Sequence, residues 1–115
     1  MSITPRAVIF DLDGTLLDTL DDLADSGNAV LSALSLPQHP VDAYRYFVGL
    51  GIEELVRRML PEDRRHPDLL REATALTGAE YKRRWKDKTR PYDGVDRMLA
   101  GLAELGLPAC VLSNK

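Results

Sequence analysis

Residues 6–12, RAVIFDL, are apolar almost without interruption, and the run stops at two aspartates, Asp11 and Asp13, with Gly14 and Thr15 directly behind. Unbroken apolar runs of this length suit strands buried on both faces, as parallel sheets require. A second such run, LPACVLSNK, occupies residues 107–115. Two parallel neighbours need a crossover of only a dozen or so residues, yet roughly 70 residues of helical pattern lie between these two. The expectation is therefore an α/β chain: a partial, Rossmann-like core of parallel strands from residues 1–17 and 91–115, with an inserted α-helical module over residues 18–90.

The helical reading rests on periodicity. Leu16, Leu20, Leu23, Gly27, Val30, Leu31 and Leu34 recur at spacings of three and four and predict one apolar stripe. Asp18, Asp21, Asp22 and Asp25 crowd its first turns, where the helix dipole favours negative charge, and read as surface. LPQHP then breaks the pattern. Further helices are expected over about 41–47, 52–60 and from Leu69 to Trp85, the last with a weak point at Gly78. A final helix over 95–105 is expected to turn Val95, Met98, Leu99, Leu102 and Leu105 inward, with Gly106 as its stop.

Composition narrows the function classes. A net charge of −3 argues against a non-specific nucleic-acid binder. No apolar stretch approaches the roughly 20 residues needed to span a bilayer, and nothing at the N-terminus has the form of a signal peptide. A cytoplasmic setting is the default expectation. The single cysteine, Cys110, lies in an apolar run and reads as a buried, inert thiol. His39 and His66 sit beside prolines without ligand-like spacing and read as surface, while Tyr81 and Trp85 read as packing.

Chemistry concentrates at the strand ends, because ligands of open parallel sheets gather at the carboxyl ends of the strands. If the two strands are neighbours, Asp11, Asp13, Ser113, Asn114 and Lys115 converge. Two carboxylates so placed raise each other's pKa unless a cation is shared between them. Hard oxygen donors with an open site suit Mg²⁺, which keeps waters and accepts substrate phosphate oxygens. One carboxylate can attack phosphorus in line, and a second can protonate the leaving oxygen and later activate water. Gly14 allows a sharp turn that presents amide N–H groups to phosphoryl oxygens, and Ser113 with the Asn114 N–H can hold them from the other strand. A solvated turn pivoting on Gly14 would also accommodate the two aspartates, but it is the weaker explanation, since an apolar strand ending in DxDGT is not generic.

The stretch DLDGTLLDT resembles the first motif of the haloacid dehalogenase-like (HAD) hydrolases, the aspartate-nucleophile phosphatases, and VLSNK resembles their second. Asp18 and Thr19 fit the same pattern, and RPYDGV is similar to the return from cap to core in phosphoglycolate phosphatase-like members. The resemblance implies a HAD core with an inserted cap, a small phosphorylated metabolite as substrate, and Mg²⁺ as cofactor. It implies Asp11 as nucleophile, Asp13 as general acid/base, the Asp11 carboxylate and Asp13 main-chain oxygen as Mg²⁺ ligands, and Ser113 on the phosphate. Gly49 and Gly51 are either a cap loop that reads the substrate or a plain helix break. Arg57 and Arg58 read as solvent-exposed in preference to substrate-facing. The family's third-motif lysine and fourth-motif acidic pair have no counterpart in the sequence, so the expectation is an N-terminal half of the fold with little or no turnover. Its open core edge is expected to favour self-association. The alternatives are a phosphosugar mutase or other HAD phosphatase, and a non-catalytic, cap-bearing binding module.

Overall fold

The computed structural model describes residues 3–113. Strand β1 (Val8–Phe10) leads into a short β2 (Leu17–Asp18) and helix α1 (Leu20–Ala33). A 3₁₀ segment (Val41–Tyr46), α2 (Ile52–Met59), a 3₁₀ turn (Glu62–Arg64) and α3 (Pro67–Arg84) follow. Strand β3 (Arg90–Pro91), α4 (Val95–Glu104) and β4 (Ala109–Val111) complete the order. β1 and β4 pair in parallel, with Val8 opposite Ala109, Ile9 opposite Cys110 and Phe10 opposite Val111. The Leu112 N–H extends the ladder to the Phe10 carbonyl at 2.8 Å, so both strands deliver their carboxyl ends to the same side. β2 and β3 pair antiparallel where the chain enters and leaves the helical unit.

The core lies within that helical unit. Leu23, Ala24, Val30 and Leu31 of α1 meet Leu55, Val56 and Met59 of α2, together with Ala73 of α3, Tyr44 and Leu60. Their spacing is the three-and-four repeat of the sequence. Tyr44 is fully buried and its hydroxyl donates to Asn28 Oδ1 at 2.9 Å. Asn28 also accepts from the His39 N–H at 3.0 Å and donates to the His39 carbonyl at 2.8 Å. The His39 ring contacts the Met59 carbonyl at 2.8 Å through Nε2 and packs edge-on against Phe47. His39 is thus a half-buried tie between the post-α1 loop and α2, which corrects the surface reading; loop sequence alone does not reveal partners 11 and 20 residues away.

Gly27 admits Tyr44 to α1. A Cβ there would stand 2.5 Å from the Tyr44 hydroxyl oxygen, 2.7 Å from its ring and 3.0 Å from Met59 Sδ. Helix propensity favours alanine by about 1 kcal/mol, but overpacking of a filled core costs about 1–3 kcal/mol. Gly27→Ala is accordingly expected to lower the thermal midpoint by roughly 5 °C, read by circular dichroism; an unchanged or raised midpoint would contradict this packing.

Several sequence expectations are corrected. The stripe does not begin helically at Leu16, because the Leu16 and Leu17 N–H groups both turn back to the Leu12 carbonyl, and Leu17–Asp18 is extended against Arg90–Pro91. The helical segment expected over 41–47 is present, as a 3₁₀ helix. α3 runs unbroken through Gly78. No α4 residue is buried, and Met98, Leu99 and Leu105 are exposed. Ile9 and Val111 are exposed, as is Cys110, because β1 and β4 are flanked by no further strand among the described residues. Trp85 is half-exposed beside the Lys86 ammonium, whereas Tyr81 packs on the core.

Candidate active site

β1 ends at Phe10, so Asp11 is the first residue clear of the sheet. Its Oδ1 accepts the Leu12 N–H at 2.9 Å, which orients the carboxylate at the strand's end while the residue stays exposed. Gly14 adopts φ +78°, a left-handed conformation that favours glycine. Its N–H donates to the Leu17 carbonyl at 2.9 Å and closes the turn on itself. Asp13 is half-buried and bridges to Leu17.

Facing this turn is the loop between the 3₁₀ segment and α2, where Gly49 (φ +113°) and Gly51 (φ +91°) set the backbone. Between turn and loop lies a cavity of about 390 Å³, a size that suits a small ligand. Asp11, Asp13, Gly14 and Asp18 line one part of it, and Arg45, Gly49 and Gly51 another. Leu20, Leu23, Ile52, Leu55, Tyr81 and Tyr92 make most of the remaining wall apolar.

The predicted residues therefore meet in part. Asp11, Asp13, Gly14, Gly49 and Gly51 share the cavity. Ser113 follows β4 on the same side of the sheet but does not line the cavity, and Asn114 lies outside the described residues. Arg57 and Arg58 turn away to Glu54: the Arg57 guanidinium pairs with it directly, and Arg58 Nε donates to it at 3.0 Å. The bond from Arg57, then that from Arg58, holds the Glu54 carboxyl down to about 2. Asp11, Asp13 and Asp18 present hard oxygens of the kind Mg²⁺ prefers. They make part of an octahedral set, and no group of three or more His, Cys, Asp or Glu among the described residues is arranged to hold a metal.

Two features escaped sequence reasoning. Arg45 lines the cavity, and its place four residues ahead of Gly49 was the available signal. Asp22, read as surface, is almost wholly buried. Its carboxylate accepts the Lys88 N–H at 3.0 Å, the Thr89 N–H at 2.8 Å and the Thr89 hydroxyl at 2.7 Å. Burial alone would raise its pKa; these three bonds, with the Lys88 charge, outweigh that and hold it below the ordinary carboxylate value. Lys88 in turn reaches Asp25 at 2.7 Å. Asp22 thus clips α1 to the segment that returns through β3, next to the cavity.

Comparison with known proteins agrees with this arrangement. A phosphoglycolate phosphatase of Nitrosospira multiformis is 39% identical over 113 residues, covering 96% of this chain and 50% of the relative. The crystal structure of a predicted phosphoglycolate phosphatase from Haemophilus somnus superposes with a TM-score of 0.83 at 28% identity, over 96% of this chain and 52% of that one. Protein Tyrosine Kinase A of Mycobacterium tuberculosis superposes with a TM-score of 0.78 at 31% identity, over 96% of this chain and 49% of its own. The chain thus spans about half the length of the relatives it matches. The family model described as haloacid dehalogenase-like hydrolase matches residues 8–115, from the strand that carries Asp11 through the helical unit to the second strand. A match of that extent, taking in the strand and the aspartate turn behind it, settles the assignment: the chain belongs to the haloacid dehalogenase-like hydrolase family.

Proposed function

We propose that this chain carries the nucleophile, the proton-transfer carboxylate and the substrate-reading cap of a phosphomonoester hydrolase acting on a small phosphorylated metabolite, phosphoglycolate-like in kind. The observation that carries the reading is the shared cavity in which the Asp11–Asp13 turn faces the Gly49–Gly51 loop. Fold likeness alone does not fix a reaction, and the tyrosine kinase neighbour makes that point. In this reading residues 18–90 are the cap and residues 1–17 and 91–115 the core, in a cytoplasmic protein.

The chemistry follows from the side chains. An Asp11 carboxylate oxygen attacks phosphorus in line, forming an acyl-phosphate as the bond to the ester oxygen breaks. Asp13, two residues on, gives its proton to that leaving oxygen. It then takes a proton from water, which attacks phosphorus, breaks the acyl-phosphate bond and restores Asp11. Ser113 and the Asn114 N–H hold phosphoryl oxygens during both steps, and Gly14, whose own N–H is taken by the Leu17 carbonyl, shapes the turn beside them. Asp11 and Asp13 are the residues that would hold Mg²⁺, which when bound offsets their mutual repulsion and the phosphoryl charge. The apolar side chains of the cavity give the uncharged part of a substrate a surface to pack on.

Phosphoryl capture is the chosen readout, because it reports on Asp11 and its surroundings directly and does not require turnover. Beryllofluoride, a mimic of a phosphoryl group on a carboxylate, is expected to give a bound ¹⁹F resonance that requires Mg²⁺. Failure to see it at millimolar ligand would overturn the reading. The exposed faces of β1, β4 and α4 favour a second copy as neighbour; sedimentation is expected to show dimers or larger species, and a monomer at tens of micromolar would contradict this.

A further inference from the structure

The start of α1 leaves a polar group uncommitted at the cavity wall. Thr19 stands at the N-cap of α1, where a hydroxyl ordinarily accepts an N–H of the first turn, yet its side chain makes no such bond. Other groups do the capping: Asp18 Oδ1 accepts the Leu20 N–H at 3.5 Å, and the Thr19 carbonyl accepts the Leu23 N–H at 3.1 Å. Thr19 is only 4% exposed and lines the cavity, and no hydrogen bond joins its hydroxyl to another described residue. We propose that the Thr19 hydroxyl and the Asp18 carboxylate form a subsite that reads an uncharged hydroxyl on the carbon body of the substrate, while the phosphoryl group sits at Asp11. The inference rests on the phosphomonoesterase reading and adds a ligand class to it: a short phosphomonoester that carries a neutral hydroxyl.

A buried polar group without a partner costs free energy, and such groups are rare in folded proteins. In the wall of a cavity the cost falls away once a ligand supplies the partner, so an unbonded hydroxyl there marks where a polar ligand atom belongs. The neighbouring side chain decides which kind of atom. Asp18 also lines the cavity and, ionised, offers acceptor oxygens only, whereas Thr19 can donate. A ligand hydroxyl both donates and accepts, and so satisfies the pair. A carboxylate or a second phosphate in its place would lie against Asp18, with Asp21 following in the first turn of α1, and would be repelled. A carbonyl would serve Thr19 and leave Asp18 unanswered, and an alkyl group would serve neither. Leu20 and Leu23 continue this wall along α1 and carry no polar side-chain atom, so selection at this end of the cavity falls to Thr19 and Asp18.

Calorimetry with Mg²⁺ present compares 2-hydroxyethylphosphonate with propylphosphonate, which puts a methyl group where the first ligand carries its hydroxyl. The wild-type protein is expected to bind the hydroxylated ligand roughly fivefold more tightly, the worth of a hydrogen bond that the other cannot make. Thr19→Val keeps the shape and removes the hydroxyl; it is expected to weaken 2-hydroxyethylphosphonate about fivefold and to leave propylphosphonate within about twofold. Thr19→Ser is expected to keep the preference. Because the hydroxyl holds nothing else in the fold, Thr19→Val is expected to leave the thermal midpoint in place or raise it, so that its loss of affinity reports contact with the ligand. A preference that persists in Thr19→Val overturns the inference, as do affinities for both ligands that fall together. Equal wild-type affinities also overturn it, while leaving the phosphoryl site in place. Binding of neither ligand would overturn this inference and the phosphomonoesterase reading together.

Discussion

The Asp11→Asn variant is expected to lose Mg²⁺-dependent capture of beryllofluoride at least roughly a thousandfold, as nucleophile replacements do. Asparagine preserves shape and can still accept the Leu12 N–H that now reaches Asp11 Oδ1. It lacks the negative charge and the nucleophilic oxygen, the two properties that the proposed step uses. Because Asp11 is exposed, its replacement is expected to move the thermal midpoint by only about 2 °C. Loss of capture in a folded variant would therefore report chemistry rather than collapse. Asp13→Asn supplies the contrast: it is expected to weaken capture far less, because its proposed work is proton transfer and one shared contact to the cation. Equal losses in the two variants would contradict the division of roles, and full capture by Asp11→Asn would remove Asp11 as nucleophile.

The second large effect is structural. Asp22→Ala is expected to cost about 3 kcal/mol of stability, because it strands two backbone N–H groups and one hydroxyl that now share a buried carboxylate. Asp22→Asn keeps an acceptor oxygen and is expected to cost about half as much. The pH dependence has a definite sign. Hydrogen bonding leaves the folded carboxyl below its ordinary value of 3.8, so near that pH the unfolded chain binds more protons than the folded one. Stability owed to Asp22 is thus complete above pH 3.8 and is lost as the pH falls through the folded value. Urea titrations between neutral pH and the acid limit should show a shallower acid loss in Asp22→Asn than in the wild type. Parallel acid limbs, or an Asp22→Ala variant of unchanged stability, would contradict this clip.

What the sequence made legible was what is local. The end of the first strand, the glycine turn behind the aspartates and the three-and-four apolar repeat are written in adjacent residues, and each appears where its pattern lies, except that the repeat becomes helical only at Leu20. The parallel pairing of the two distant apolar runs was also legible, because both carry polar chemistry at the same end. Burial was not. Met98, Leu99 and Cys110 follow inward patterns, yet what a pattern faces depends on neighbours that composition does not specify. Asp22 was misread for a related reason: its partners stand 66 and 67 residues downstream, while the acidic residues around it look like ordinary helix-start surface. Arg45 was overshadowed by the more conspicuous Arg57–Arg58 pair, whose charge is spent on Glu54.

The central claim is that the aspartate turn and the glycine loop form one phosphoryl site. Amide NMR during titration with inorganic phosphate in the presence of Mg²⁺ tests it directly. The account predicts shifts confined to Asp11–Thr15 and to Gly49–Ile52, both saturating at one concentration; shifts at the basic last turn of α3, Lys82, Arg83 and Arg84, with neither segment responding, would contradict it.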